Sequence, residues 1–161
     1  PDNFQLNTAS FLFSKKVDIV IGSHPHVLQK MIYVPKQESQ DKINESFIVY
    51  SLGNYVSNQR DRRKDGGCMV KITLEKNNEN VSIKECGYFL TWVYKKVIGG
   101  KIDYHVLPCS KFENDSTFFN KTEDYSKMKT FIDDSRKLFK EHNLSVNEYV
   151  YQDSIWTINN N

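Results

Sequence analysis

Two histidines one residue apart, His24 and His26, follow the apolar run VDIVI at 17–21 through Gly22 and Ser23. A strand that ends in glycine and delivers His-x-His puts two imidazoles at the carboxyl end of a sheet, where open α/β folds collect their ligands. At that spacing both rings can converge on one metal ion. Pro25 between them fixes its own φ and biases His24 toward extended backbone. A bare His-x-His is equally compatible with two ordinary loop histidines, one solvated and one bonded to backbone. Two imidazoles are also an incomplete set, because catalytic zinc takes three protein ligands and a dinuclear centre takes more. Asp18, His105, His142, Asp61 and Asp65 are further donors, but none stands at a recognised spacing from the pair. Asp18 reads as a hydrogen-bonding residue of its strand, His105 as part of a hairpin and His142 as a cation at a helix carboxyl end.

The second chemically informative stretch is YSLGNYVSNQRDRRKDGG, at 50–67. Its SLGN turn follows another apolar run, so Ser51, Gly53 and Asn54 are expected at the same sheet edge as the histidines, where amide and backbone N–H groups can orient a polar ligand. The loop beyond it sets Arg60, Arg62, Arg63 and Lys64 against Asp61 and Asp65. Such a cluster suits an anionic substrate, phosphate or polycarboxylate. A solvated surface loop is the plainer account of the same charges.

The elements that must position these residues follow from periodicity. Apolar residues from Phe4 to Phe13, with Lys15 and Lys16 behind them, predict a short helix. VDIVI and FIVYSL (47–52) are continuous β-branched and aromatic runs closed by glycine, and they predict strands buried on both faces of a parallel or mixed sheet. The polar stretch KQESQDKINES connects them. From Cys68 the pattern alternates, Val70, Ile72 and Leu74 against Lys71, Thr73 and Glu75, as in a half-exposed antiparallel strand. KNNEN then makes a turn, Val81–Tyr94 forms one long strand or two shorter ones, and Gly99-Gly100 opens a hairpin to Ile102–Leu107. Residues 109–124 read as a surface loop. Apolar residues from Tyr125 to Phe139 recur at helical spacing opposite a charged face, predicting an amphipathic helix on a sheet. The fold class expected is α/β, with residues 1–161 as one unit.

The chain has 161 residues, 39% of them hydrophobic, enough for a core. With 22 Lys plus Arg against 20 Asp plus Glu, its net charge of +2 gives no bulk electrostatic reason to expect nucleic acid or a membrane surface. No apolar run is long enough to span a bilayer, so this stretch reads as soluble. Cys68, Cys86 and Cys109 are widely spaced and odd in number, and buried thiols are expected rather than a zinc knuckle or disulfide framework. Pro1 with no preceding Met or signal suggests a processed or excised piece.

Together DIVIGSHPHVLQ, FIVYSLGNYV and GGCMVKITLEK resemble the C-terminal half of the CapA (poly-γ-glutamate capsule biosynthesis) family, which has the calcineurin-like metallophosphoesterase fold. The resemblance covers about residues 1–74; HPHVLQ and YSLGN are its specific parts. It implies a portion of an α/β sandwich whose dinuclear site (Mn, Zn or Fe) uses His24 and His26 as ligands, with the earlier Asp, His and Asn ligands expected in an N-terminal part. Ser23 stands between Gly22 and His24, where the broader superfamily places glycine directly before the first histidine, a variation similar to the CapA branch. The implied function is poly-γ-glutamate synthesis or export at an extracytoplasmic, membrane-associated location. The activity implied is metal-dependent attack on a phosphoester, with this piece inactive alone. The alternative is a non-catalytic module in which Arg60, Arg62 and Arg63 bind the anionic polymer or other capsule-synthesis proteins. A sheet edge left free where further strands would pair could also drive self-association.

Overall fold

A computed structural model describes residues 1–35 and 45–159. The polar connection predicted at 36–46 lies largely outside them. The described chain is α/β, with two sheets and three α-helices.

Helix α1, Asn3–Ser14, begins at a capping box in which the Asp2 carboxylate accepts from the Gln5 N–H while the Gln5 side chain accepts from the Asp2 N–H. Strand β1, Ile19–Ile21, runs parallel to β3, Ser46–Val49, and β2, Met31–Val34, pairs antiparallel with β3 on its other side. In the central strand β3, Phe47 and Val49 face the main core while Ile48, followed by Tyr50, packs with Ala9 of α1. Both faces of β3 are therefore buried, as its unbroken apolar run predicts. β1 departs from that expectation. Asp18 and Ile21 are exposed and Ile19 and Val20 only half-buried, because among the described residues β1 is an edge strand paired with β3 alone.

The second sheet is built on β5, Asn80–Ile98, one 19-residue strand. β4, Gly66–Asn77, and β6, Lys101–Pro108, pair antiparallel with it, forming the two predicted hairpins. The β5–β6 turn has positive φ at both Gly99 (56°) and Gly100 (78°), the twist a two-residue hairpin needs. β7, Asn147–Gln152, lies parallel to β5 and carries β8, Ile155–Ile158, as a terminal hairpin that periodicity did not reveal.

Residues 109–124 correct the sequence reading. They hold helix α2, Cys109–Phe112, and a 3-10 turn, Ser116–Phe118, and they send Cys109, Phe112, Phe118 and Phe119 into the main core. Their polar residues mask an aromatic set that packs around Tyr94, with Phe119 5.2 Å from its ring and Phe118 6.0 Å. Helix α3, Thr122–His142, is the predicted amphipathic helix, burying Met128, Phe131, Ile132 and Phe139 against β5 side chains such as Tyr88.

Glu45 joins the two sheets. Its carboxylate accepts from the Ile83 N–H at 2.7 Å and from the Tyr33 hydroxyl at 3.0 Å. Burial and this carboxylate push the Tyr33 phenol up to about 12. All three cysteines are free and buried. Desolvation by burial raises each thiol above its ordinary value, Cys86 to about 11.

Candidate functional site: the histidine edge

The parallel register that sets Ile21 beside Val49 makes both strands release their chains at one edge. Gly22 donates to the Val49 carbonyl at 2.7 Å and accepts from the Leu52 N–H at 3.2 Å. A Cβ on Gly22 would stand 2.2 Å from the Tyr50 carbonyl oxygen and 2.8 Å from that of Val49, both backbone atoms that cannot step aside. Gly22→Ala is therefore expected to cost about 3 kcal/mol, the upper range for forced overpacking, measured by urea unfolding. A loss under about 1 kcal/mol would show that the edge is plastic.

Beyond Gly22 the chain leaves the sheet and returns at Leu28, which bridges to Leu52, while the Gln29 N–H donates to the Ser51 carbonyl. The side-chain amides of Gln29 and Gln5 exchange two hydrogen bonds, 2.8 and 3.2 Å, and tie this return to α1. The histidines sit on the intervening excursion, both exposed and both left-handed, with φ of 89° at His24 and 59° at His26. The extended backbone expected of His24 before Pro25 is thus not found. The excursion must turn back within six residues, and closure of the loop outweighs the local preference. A left-handed non-glycine residue stores about 1 kcal/mol or more, and such strain gathers at functional sites. His24→Gly is accordingly expected to raise stability by about 0.5–1 kcal/mol in thermal unfolding, after glycine's entropic cost is subtracted.

Asn54 defines the state of His26. It is buried, its Nδ2 donates to Gln59 Oε1 at 2.8 Å and to the Lys64 carbonyl at 2.7 Å, and its Oδ1 lies 2.8 Å from His26 Nδ1. With both amide protons committed, Oδ1 faces the imidazole as an acceptor, so in the neutral ring Nδ1 carries the proton and Nε2 keeps its lone pair. A ring nitrogen fixed in this way by a neighbouring acceptor is the usual outer support of a metal-ligating histidine. The donor set is nevertheless short. Among the described residues no group of three or more His, Cys, Asp and Glu could hold a metal ion.

The other sequence candidates separate by environment. Ser51 is fully buried and its Oγ accepts from the Gly53 N–H at 3.3 Å, so it shapes the turn and does not reach a solvent-borne ligand. Gly53, with φ of 69°, pairs with Gly67, and a Cβ on Gly67 would press within 2.8 Å of the Asn54 backbone nitrogen. The Gly66-Gly67 pair is what lets β4 lie against the SLGN turn. Arg60 donates to the carbonyls of Val93 (2.6 Å) and Ser57 (2.9 Å) and so pins its loop to β5. Arg62 forms a bidentate pair with Asp134 of α3, both bonds 2.7 Å, and Arg63 reaches the same carboxylate at 3.5 Å. Bonding to Arg62, with the two positive charges beside it, lowers the Asp134 pKa. Asp65, read from sequence only as a loop acid, is buried. Its Oδ2 accepts from Trp92 Nε1 at 2.8 Å, and desolvation raises its pKa. His105 contacts Asp103 at 3.1 Å and His142 lies in the last turn of α3, far from a shared site in sequence and element.

Comparison with known proteins agrees with the residues that build this edge. Residues 1–59 match the family model described as "Bacterial capsule synthesis protein PGA_cap". Over 77 residues the chain is 32% identical to the PGA biosynthesis protein CapA of Bacillus subtilis (strain 168), covering 48% of this chain and 18% of that protein. It is 34% identical over 77 residues to the capsule biosynthesis protein CapA of Bacillus anthracis, covering 48% of this chain and 16% of that protein. The matched segment spans less than a fifth of the length of either relative. No solved structure matches. From α1 through the SLGN turn the chain is thus similar to the PGA_cap family of bacterial capsule synthesis proteins.

Proposed function

We propose that the chain serves poly-γ-glutamate capsule synthesis or export at an extracytoplasmic face, with His24 and His26 as part of a divalent metal site. The observation that carries the metal reading is the 2.8 Å contact between His26 Nδ1 and an otherwise fully committed Asn54, which leaves Nε2 free to ligate. The remaining ligands come from outside the described residues, since these supply two imidazoles and no converging carboxylate. A bound divalent cation (Mn, Zn or Fe) would supply Lewis acidity toward a phosphoester and its water. This chain's part is to hold two imidazoles at one sheet edge, one with its tautomer set. Asn54 is a positioning residue in this scheme, acting through His26 and not on substrate.

Calorimetry with zinc and manganese on the full-length protein tests it. Binding is expected in the wild type and absent in the His24→Ala, His26→Ala double variant, with Asn54→Ala weakened about 10- to 100-fold. Nitrogen NMR of the His26 ring supplies a second readout, the Nδ1–H tautomer in the wild type and a mixture in Asn54→Ala. Metal affinity untouched by the double variant would sink the reading.

A second, non-catalytic reading is favoured by a different observation. Arg62 and Arg63 are 67% and 68% exposed and share the single carboxylate of Asp134, leaving excess positive charge beside α3. In this reading the protein binds the anionic capsule polymer, and other capsule-synthesis proteins dock with it. β1, which has one neighbour among the described residues and an exposed Ile21, offers an edge for self-association.

A further inference from the structure

The two long hairpins of the second sheet finish in opposite ways. At the β4–β5 turn the last rungs are Lys76 against Val81 and Asn77 against Asn80, closed by Asn78 and Glu79, with Glu75 holding the Lys84 ammonium at 3.2 Å. One exposed valine stands there amid polar residues, as in an ordinary wet turn. At the β5–β6 turn the last rungs are Val97 against Ile102 and Ile98 against Lys101. Val97, Ile98 and Ile102 are 60%, 53% and 54% exposed. A Cβ on Gly99 or Gly100 would meet nothing within 4 Å, so this turn stands clear of the body.

Charge is gathered at the same tip. Lys95, Lys96 and Lys101 surround it against one acid in 95–105, Asp103, which faces His105 at 3.1 Å. Lys95 is held by neutral groups and keeps its charge, its ammonium 2.6 Å from Asn58 Oδ1 and 5.5 Å from the centre of the Tyr104 ring.

Successive residues of a strand alternate between faces, and cross-strand partners share one. Val97 and Ile102 therefore lie on one face of the ribbon with Lys95 and Tyr104 behind them, and Ile98 lies on the other with Lys101 beside it and Lys96 behind. A flat protein surface could cover one face and would leave the other in water. A fluid surface encloses both at once. At about 3.4 Å per residue the two apolar rungs and their turn are roughly 10 Å long, the depth of the boundary between lipid headgroups and acyl chains. Lys95, Lys96 and Tyr104 then stand at headgroup level, which suits a cation and a ring with a polar tip, and Lys101 can reach back along its apolar stem. The outer backbone groups of a two-stranded ribbon are unpaired, which stops it from going deeper.

We infer that the β5–β6 tip is a membrane-contact site, its apolar rungs lodged in the surface of a bilayer that contains anionic phospholipid and its lysines on the lipid phosphates. This contact is independent of the metal and polymer readings.

The test is co-sedimentation of the intact chain with vesicles of phosphatidylcholine alone and of an equal mixture with phosphatidylglycerol. Binding to the mixed vesicles is expected, weakened about tenfold or more both in the triple variant Val97→Ser, Ile98→Ser, Ile102→Ser and in the double variant Lys96→Gln, Lys101→Gln. The difference made by the lysine variant should vanish on phosphatidylcholine alone. All the replaced side chains project from the ribbon, and thermal unfolding verifies that each variant folds. Val81→Ser, at the other turn, should change nothing. Brominated acyl chains should quench the added indole of Ile98→Trp and not that of Val81→Trp. No binding to the mixed vesicles overturns the proposal. Binding that survives the serine substitutions, with Ile98→Trp unquenched, would show adsorption by charge alone and overturn insertion. Self-association of the wild type without vesicle binding, lost in the serine variant, would overturn it in favour of a second copy as the occupant of the tip.

Discussion

Replacing Arg136 by alanine is expected to destabilise the protein by about 3 kcal/mol, read as a lower urea midpoint at unchanged slope. Arg136 of α3 reaches two carboxylates at once. Its Nε and Nη2 donate to Glu148 of β7 at 2.8 and 3.0 Å, and its Nη1 and Nη2 donate to Glu113 at 2.6 and 3.0 Å. Burial opposes the guanidinium charge, yet the bonds to Glu148 and Glu113 outweigh it and raise the Arg136 pKa. The loss comes mainly from what is left behind. Glu148 is 6% exposed, and without Arg136 it is a buried carboxylate facing a second one. Because the Arg136 side chain is itself 36% exposed, the cost belongs at the lower end for a broken buried pair. Arg136→Lys should recover only part of it, since an ammonium cannot span both forks. Adding Glu148→Gln to Arg136→Ala should return more than half the loss; equal damage in single and double variants would refute the account.

Trp92→Phe is expected to cost about 3 kcal/mol at neutral pH, combining a lost hydrogen bond to a charged acceptor with a smaller core ring. Trp92 is 2% exposed and its Nε1 is the side-chain donor that serves Asp65. The sign of the pH dependence distinguishes this account from simple loss of packing. Desolvation raises the Asp65 pKa in the native state, with the Trp92 bond and Arg60 only partly offsetting it. A carboxyl whose folded pKa is raised contributes most when protonated, below its unfolded pKa, and that contribution is lost as pH rises through the folded value. Removing the Trp92 donor raises the folded pKa further. The destabilisation by Trp92→Phe should therefore be smaller near pH 4 than near pH 7, across the window just above the ordinary aspartate range. A constant difference between the two proteins over that range would show that Asp65 stays equally served without the indole.

Much of the site was legible in the chain because its parts are local. VDIVI and FIVYSL each state a strand, glycine states where each stops, and two such strands side by side and parallel must release their next residues at one edge. That arithmetic puts His26 and Asn54 at one edge, where the structure brings His26 Nδ1 within 2.8 Å of Asn54 Oδ1. The same local logic names the hairpins and α3. It fails where the deciding partner is remote. β2 has four residues and owes its place to pairing with β3, and residues 109–119 are polar in sequence yet give their aromatic rings to Tyr94 on a different strand.

The residue types, strand order and turn glycines thus determined by themselves which groups could do chemistry and at which edge they would stand, since those properties depend on neighbours within a few positions. Only the tertiary structure decided what each group is free to do. It spent Arg60 on the Val93 carbonyl, divided Asp134, 72 residues away, between Arg62 and Arg63, buried Asp65 beside Trp92, and turned Asn54 from a ligand-facing amide into the acceptor that sets the His26 tautomer. A side chain's donors and acceptors are inherent in its type. Whether they are already occupied depends on atoms that periodicity cannot bring into view.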